Sequence, residues 1–545
     1  MSTLVLLVLA CFPQNPPPTD LHNKYAVVVN PNNQTAEVTG PRLRRIFRAE
    51  VQTWPTGETV ELLLPRSQTP TKEFLLDSVY GMTDLQLKKY WLDLVYQNRI
   101  VTPPRAFPST QIASLMLGRM RGSIALLPAS ELDSQAALKV LAIDGKRPDD
   151  DGYPLLSKPK TLTGANPQSS GTSAESPTAE ASFHRQLAAQ PDEPGAIERP
   201  ATMEDWDGDG WPPIHMLVFA HGRAEGESSK AAGSTRDTNS FGIEVVDVLL
   251  TSALTDRMSI LAETTYAAQD SGEFVVEVER LLLKYCFNDA LNVKAGRFLT
   301  SIGYWNRHYH HGEWLQTSID RPEVIDFEDE SGLLPIHSVG VGLNGSFFTG
   351  AGVLEYTLEV ANGRGPTADV TQSKQDGNRE KAINVAVGMK PEFLPGVEFG
   401  AGSYFDRIPE NTDASAGALH GQVQEQITNL YCAYNDTNWE LMGEYFFLEH
   451  DYGDRTTHSK GWYAQVGRHL GDWTPYVRVD GIDRAALDDY FESTDAGLTT
   501  AIGIRRDINS HAALTLQYER AQVDAQPGGQ DIVNQSYVLQ LSVVF

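Results

Sequence analysis

Residues 537–545 read YVLQLSVVF. Counting by twos puts Tyr537, Leu539, Leu541, Val543 and Phe545 on one face, and Val538, Gln540, Ser542 and Val544 on the other. One face is wholly apolar and the other is smaller and more polar, with the period of a β-strand. Two readings fit these nine residues. In one, the stretch is a half-buried edge strand of a soluble sheet. In the other, it closes a transmembrane barrel and sets its last aromatic in the interfacial girdle.

The connections upstream choose between them. About sixteen strand-like runs begin near Met216, Ser240, Met258, Phe274, Leu291, His337, Gly352, Ala382, Val397, Gln426, Trp439, Lys460, Thr474, Leu498, Ala512 and Ser536. Alternation is clearest late in the chain. Leu514, Leu516 and Tyr518 oppose Thr515, Gln517 and Glu519, and Trp439, Leu441 and Tyr445 oppose Glu440, Met442 and Glu444. The run at 274–287 is less regular, as a β-bulge would make it. Short connections at 255–257, 288–290, 349–351, 394–396, 435–437, 470–472 and 507–510 alternate with mostly long polar ones at 225–239, 306–335, 363–381, 406–425, 449–459, 483–497 and 522–535. A transmembrane barrel has tight turns at one end and long loops at the other. A soluble sandwich or propeller has no reason to alternate so. An even strand count puts both barrel ends on the periplasmic side, where the preceding domain would sit or reach up to plug the pore.

This organisation resembles the Gram-negative outer-membrane porins, in which the third outer loop folds inward and narrows the pore. Here the longest connection is the third outer loop, within GRFLTSIGYWNRHYHHGEW and DRPEVIDFEDESGLLP. The resemblance implies a constriction built from Arg307, His308, His310, His311, Glu313, Asp320, Arg321, Glu323 and Asp326. With Glu328, Asp329 and Glu330 the loop is acidic, which favours cations if it lines the pore. The alternative is a solvated acidic loop facing lipopolysaccharide and its divalent ions. His308, His310 and His311 with Glu313 form a dense histidine cluster, and His308 and His310 would share a face of an extended strand. A third metal ligand is not assured, so the cluster reads as a polar loop packed on Tyr304, Trp305 and Trp314, with no metal or cofactor expected. In the porins a terminal aromatic strand is also part of the signal read by the barrel-assembly machinery. That implies the same role for Tyr537, Leu541, Val543 and Phe545.

Composition agrees. The 545 residues carry 44 Lys and Arg against 71 Asp and Glu, a net charge of −27 that argues against a nucleic-acid partner. Mean hydropathy is −0.31, and no apolar run reaches the roughly 18 residues of a membrane helix. Residues 1–20 hold a short apolar run, TLVLLVLACF, like a secretory signal without its basic start. The residues up to Cys11 faintly resemble a lipoprotein cleavage box, with Leu9 a poor fit. Cys286 and Cys432 have no metal-site spacing and read as buried small residues rather than a disulfide.

Residues 21–155 mix strands with helices. Tyr25–Val29, 59–64 and 123–127 read as strands. Helices open at Thr39-Gly40-Pro41, Thr69-Pro70-Thr71 and Thr83, the last with Thr83 as its cap. This alternation indicates an α/β domain. The segments YAVVVNPNN, LRRIF, TWPTGE, LLLPRSQTPTKEFL, GSIALLP and AIDGKRPDDDGYPL resemble, in that order, the phosphate-binding periplasmic proteins (PBPs) of ABC importers, as a shortened PBP-like member. The resemblance implies anion binding by Arg66, Ser67 and Thr69, although the loop is shortened, lacks the family glycine, and loses an amide donor to Pro70. Residues 156–208, rich in Ser, Pro, Ala and Thr, read as a flexible linker before a barrel at 209–545.

The sequence therefore predicts a multi-domain chain: an α/β PBP-like domain, a linker, and an antiparallel transmembrane barrel of about sixteen strands. The expected function is passive passage of small solutes or ions through an outer-membrane channel, fused to a periplasmic domain that binds phosphate or another anion. The expected partners are outer-membrane lipid, lipopolysaccharide and the assembly machinery, with association of three barrels left open. A non-conducting assembly or adhesion protein is the alternative. A barrel hydrolase is weaker, because no nucleophile motif stands out and no catalytic residue is identified.

Overall fold

The computed structural model describes residues 23–66, 69–132, 138–156, 212–231, 234–268, 272–326, 332–368, 377–491, 496–524 and 532–545. The signal-like segment, the linker, Ser67 and Glu328, Asp329 and Glu330 lie outside the described residues.

The N-terminal domain holds β1 (Tyr25–Val29), β2 (Glu37–Val38), α1 (Gly40–Phe47), β3 (Glu61–Pro65), α2 (Pro70–Leu75), α3 (Asp84–Tyr96), β4 (Arg105–Phe107), α4 (Thr110–Arg119), β5 (Ser123–Pro128), β6 (Lys139–Val140) and β7 (Ala142–Ile143). Its sheet has the order β4-β3-β5-β1-β6 and is mixed. β3 runs parallel to β4 and β5, while β1 runs antiparallel to β5 and β6. Thr39, Thr69 and Thr83 cap α1, α2 and α3, and Thr83 forms a reciprocal capping box with Gln86.

Sixteen antiparallel strands close the barrel. The first eight are β8 (Ile214–Ala231), β9 (Ser234–Ala253), β10 (Met258–Ala268), β11 (Phe274–Asn288), β12 (Leu291–Leu299), β13 (His337–Thr349), β14 (Gly352–Ala361) and β15 (Ala382–Pro391). The second eight are β16 (Val397–Ile408), β17 (Val423–Asn435), β18 (Trp439–Asp451), β19 (Thr456–Arg468), β20 (Trp473–Asp483), β21 (Ala496–Asp507), β22 (Ala512–Asp524) and β23 (Ile532–Val544). The terminal strand pairs with the first, Tyr537 opposite Gly226 and Val544 opposite Phe219. Closure leaves no open edge.

The faces run opposite to those of a soluble sheet. Leu354, Leu358, Val360, Ile383, Val385, Val387, Leu539 and Leu541 are exposed, whereas Glu359, Asn384, Gln540 and Ser542 are buried inside. Exposed Phe347, Trp439, Trp473 and Phe545 gather at the short-turn end. An apolar outer surface with an aromatic rim is the surface a barrel presents to lipid.

Three expectations need correcting. The connections at 225–239 and 449–459 are not long loops. β8 and β9 stay paired out to Ala231 and Ser234, and β18 and β19 out to Asp451 and Thr456. Polar residues there continue the ladder beyond the apolar belt, where hydropathy no longer marks the strand. The two cysteines are free but not buried: Cys432 is exposed and Cys286 partly so. Cys432 faces outward, as a small apolar group on a lipid surface can, whereas Cys286 shares the inward face of β11 with Lys284 and lines the cavity beneath the domain.

Arg in place of the lipid-facing Val385 should cost about 2–4 kcal/mol near the bilayer midplane, read as a lowered urea midpoint for folding into vesicles. An unchanged midpoint would mean that this face does not meet hydrocarbon.

Candidate functional site

A sixteen-strand barrel is wide enough to leave an aqueous channel. Here two pieces of chain enter it. The first is the third loop, described over residues 300–326 and 332–336, which crosses the lumen and is pinned around the wall. Glu444 on β18 accepts from the Tyr304 and Trp305 backbone N–H groups at 2.5 and 2.8 Å. Glu359 on β14 accepts from the N–H and hydroxyl of Ser301 at 3.0 and 2.7 Å. Arg478 on β20 donates to the carbonyls of Ile319 and Asp320 at 3.1 and 2.7 Å. Arg505 on β21 donates to the Trp314 carbonyl at 2.8 Å and also to that of Gln316. All of these bonds but that of the Ser301 hydroxyl go to loop backbone, so the wall replaces water as its partner. Ile302, Trp305, Val324, Ile325, Leu333 and Leu334 then form an apolar cluster against inward Tyr404, Phe446 and Tyr463.

The second piece is α3 with the turn after it. This helix has two apolar faces. Leu87, Trp91 and Leu94 enter the core of the N-terminal domain. Leu92, Val95 and Tyr96 enter the barrel and pack on Phe219, Leu249, Leu261, Leu282, Phe298 and Trp314. A helix apolar on nearly all sides must be buried on both. Of its last carbonyls, those of Asp93, Leu94 and Val95 accept from N–H groups of the following turn, and the barrel wall serves Tyr96 and the turn beyond it. Arg280 on β11 donates to the Tyr96 carbonyl at 2.5 Å, and Lys284 donates to those of Asn98 and Arg99 at 2.6 and 3.3 Å. Asn98 turns the chain with φ of 55°, a left-handed conformation that Asn tolerates. The same Arg280 lies over the Tyr96 ring at 4.3 Å and is paired to Glu263 on β10.

Around this plug the domain meets the short turns through charge pairs. Arg44 and Arg45 reach Glu392 at 2.9 and 3.1 Å, Lys89 reaches Asp507 at 3.1 Å, and Arg99 reaches Glu355 at 2.6 Å. A cavity of about 160 Å³ remains between the turn after α3 and the wall, lined by Glu50, Arg99, Lys284, Lys294, Arg307 and Glu355. Inward polar groups that an open channel would wet, including Asp247, Glu263, Asn429, Gln465 and Asp480, are at most 2% exposed.

The predicted constriction residues are sorted differently from the expectation. Asp320 is paired with Arg223, and Glu323 with Arg484 at 3.4 Å, so these carboxylates do not form a free acidic ring. Arg307 lies 3.6 Å from Glu398 and over the Tyr431 ring. Arg321 donates to the His310 carbonyl at 3.0 Å. Glu313 and Asp326 are partly buried in the same loop. His308 and His310 do not converge, because Trp305–His308 forms a short helix and not an extended strand. His308 Nδ1 lies 3.0 Å from Asp93 and 2.9 Å from Gln97 of the plug. His310 turns instead to Glu279 and His337. In the N-terminal domain Arg66 is exposed, and the Thr69 hydroxyl caps α2 by accepting from the Lys72 N–H at 3.2 Å.

No protein-family model and no curated protein matches this chain. The barrel is similar to solved outer-membrane proteins. The anion-selective porin from Comamonas acidovorans aligns with TM-score 0.45 and 11% identity, over 62% of this chain and 100% of the porin. The outer membrane channel DcaP of Acinetobacter baumannii aligns with TM-score 0.43 and 11% identity, over 62% and 99%. Salmonella typhi OmpF aligns with TM-score 0.43 and 9% identity, over 61% and 98%. The likeness is one of barrel fold and transfers no residue role.

Arg280→Met should loosen the plug by about 3–5 kcal/mol, because it strands the buried Glu263 charge and uncaps the helix. Adding Glu263→Gln should restore part of that loss. Both are read as the urea midpoint at which a label on the domain separates from one on the barrel rim. Equal midpoints for all three proteins would contradict the capping role. A pH effect follows as well. Burial and the neighbouring Arg505 push the Lys89 ammonium down to about 8, whereas a released lysine titrates near 10.4. Between these values the released domain binds more protons, so docking should tighten as pH rises through that window. The same midpoint should lose this rise in Lys89→Met.

Proposed function

We propose that the protein is a porin-like outer-membrane channel whose short-turn mouth is stoppered by its own N-terminal domain. The observation that carries this reading is the insertion of Leu92, Val95 and Tyr96 into the lumen, with Arg280 of the wall capping the helix and Lys284 holding the turn after it. Three buried side chains of this kind stabilise the docked state by about 1.5–3 kcal/mol each. A hydrogen bond to a charged donor adds about 1.5–3 kcal/mol. Such a stopper holds firmly yet can still be released by a competing partner.

In this reading the short turns face the periplasm, and small solutes or ions pass when the plug leaves. The exposed terminal residues Tyr537, Leu541 and Phe545, with the partly buried Val543 among them, suit recognition by the assembly machinery at the same interface. An anion role for Arg66, Ser67 and Thr69 stays part of the proposal. Paired charges along the third loop favour neither ion sign by themselves.

Planar-bilayer conductance tests it. The full chain should conduct rarely or weakly, and Leu92→Glu with Val95→Glu should raise open probability at least tenfold by placing carboxylates in the apolar seat. Both substitutions spare the face that packs into the domain core. A double variant that is electrically silent while still folded into the bilayer would instead favour a non-conducting assembly protein.

A further inference from the structure

Glu279 stands where the β10–β11 ladder loses register. Glu263 faces Arg280, and the next residue, Thr264, faces Val278. Glu279 is therefore the extra residue of a β-bulge, and bulges re-aim side chains. The bulge turns both Glu279 and Arg280 inward, each at most 3% exposed. Arg280 is engaged by Glu263 and the plug. Glu279 is left to a group of imidazoles.

His337 Nε2 lies 2.8 Å from Glu279 Oε2, and His310 Nε2 lies 3.8 Å from the same oxygen. The two imidazole Nε2 atoms face each other at 3.0 Å. His311 Nε2 lies 3.5 Å from the other oxygen, Oε1. One donor atom from each of Glu279, His310 and His337 falls within 4.8 Å of the others. A tetrahedral ion with bonds of about 2.0–2.1 Å holds its ligand atoms about 3.3 Å apart. The three separations among Glu279 Oε2, His310 Nε2 and His337 Nε2 straddle that value, and His311 Nε2 reaches the other oxygen of the same carboxylate. Three imidazole nitrogens and one carboxylate oxygen suit a borderline divalent transition ion, not calcium or magnesium, which take oxygen ligands.

We propose that Glu279, His310 and His337, with His311 as a fourth ligand, bind a divalent transition ion of the zinc type. His310 and His311 belong to the third loop, while Glu279 and His337 belong to the wall. The ion therefore staples the constriction loop to β11 and β13. It also sits beside the plug, because the His311 backbone N–H donates to the Tyr96 hydroxyl at 2.8 Å. Binding the metal stiffens the seat against which α3 rests.

The test uses the full chain, purified in detergent, stripped with a chelator and titrated with Zn2+ and with Co2+. The expected result is one ion per chain and the strong visible absorption of tetrahedral Co2+. His310→Gln, His337→Gln and Glu279→Gln should each weaken binding by at least the about 10–100-fold that loss of a mere supporting partner costs. His458→Gln, at an exposed histidine on β19, should leave binding unchanged. Each variant is first shown to keep the heat-resistant, fast-migrating band of a folded barrel. Sub-stoichiometric uptake by the folded parent chain overturns the proposal without any variant. Stoichiometric binding that survives all three substitutions overturns it as well.

Discussion

The C-terminal end of helix Asp84–Tyr96 is buried inside a barrel, and everything around it answers to that constraint. A helix end removed from water leaves carbonyls that must find donors. The following turn serves Asp93, Leu94 and Val95, Arg280 serves Tyr96 and Lys284 serves the turn itself, and both cations bring positive charge to the negative end of the helix dipole. Arg280 in turn is a charge removed from water, and only its pairing with Glu263 and its seat on Tyr96 make it tolerable there. The plug, the wall charges and the bulge that aims them form one cooperative unit.

The third loop follows the same logic on a larger scale. Thirty-odd residues of irregular chain cross a space that would otherwise hold water. Their backbone groups are met by Glu359, Glu444, Arg478 and Arg505 from strands spread around the ring. Irregular backbone at membrane depth is tolerable only where it is buried in protein or faces water. The inward polar faces of the strands are therefore an anchoring surface for the loop as much as a channel lining.

Much of this could be read from the residues, and the failures have physical causes. The strands beginning at Met258, Leu291, His337, Gly352, Ala382, Val397, Trp439 and Ala512 start where the alternation begins, because lipid on one side and polar partners on the other enforce a strict period of two. Alternation fades once a strand leaves the hydrocarbon, so the hairpin extensions of β8–β9 and β18–β19 passed for loops. The site was less legible. Glu279 joins the histidines only through a one-residue bulge, which changes no residue type and shifts only phase. The separation of His308 from His310 came from a single helical turn that a polar, aromatic stretch does not announce. The plugging helix was not singled out from sequence, although DLQLKKYWLDLVY carries apolar residues around nearly its whole circumference and such a helix needs two burial partners.

The central claim is that this helix end resides in the lumen. Hydrogen exchange of the backbone amides from Leu92 to Ile100, in the full chain reconstituted in lipid, tests it most directly. The account predicts protection of these amides comparable to that of neighbouring barrel strands, and its loss in Leu92→Glu with Val95→Glu. Exchange at the rate of a solvent-exposed helix terminus in the unmodified chain would contradict it.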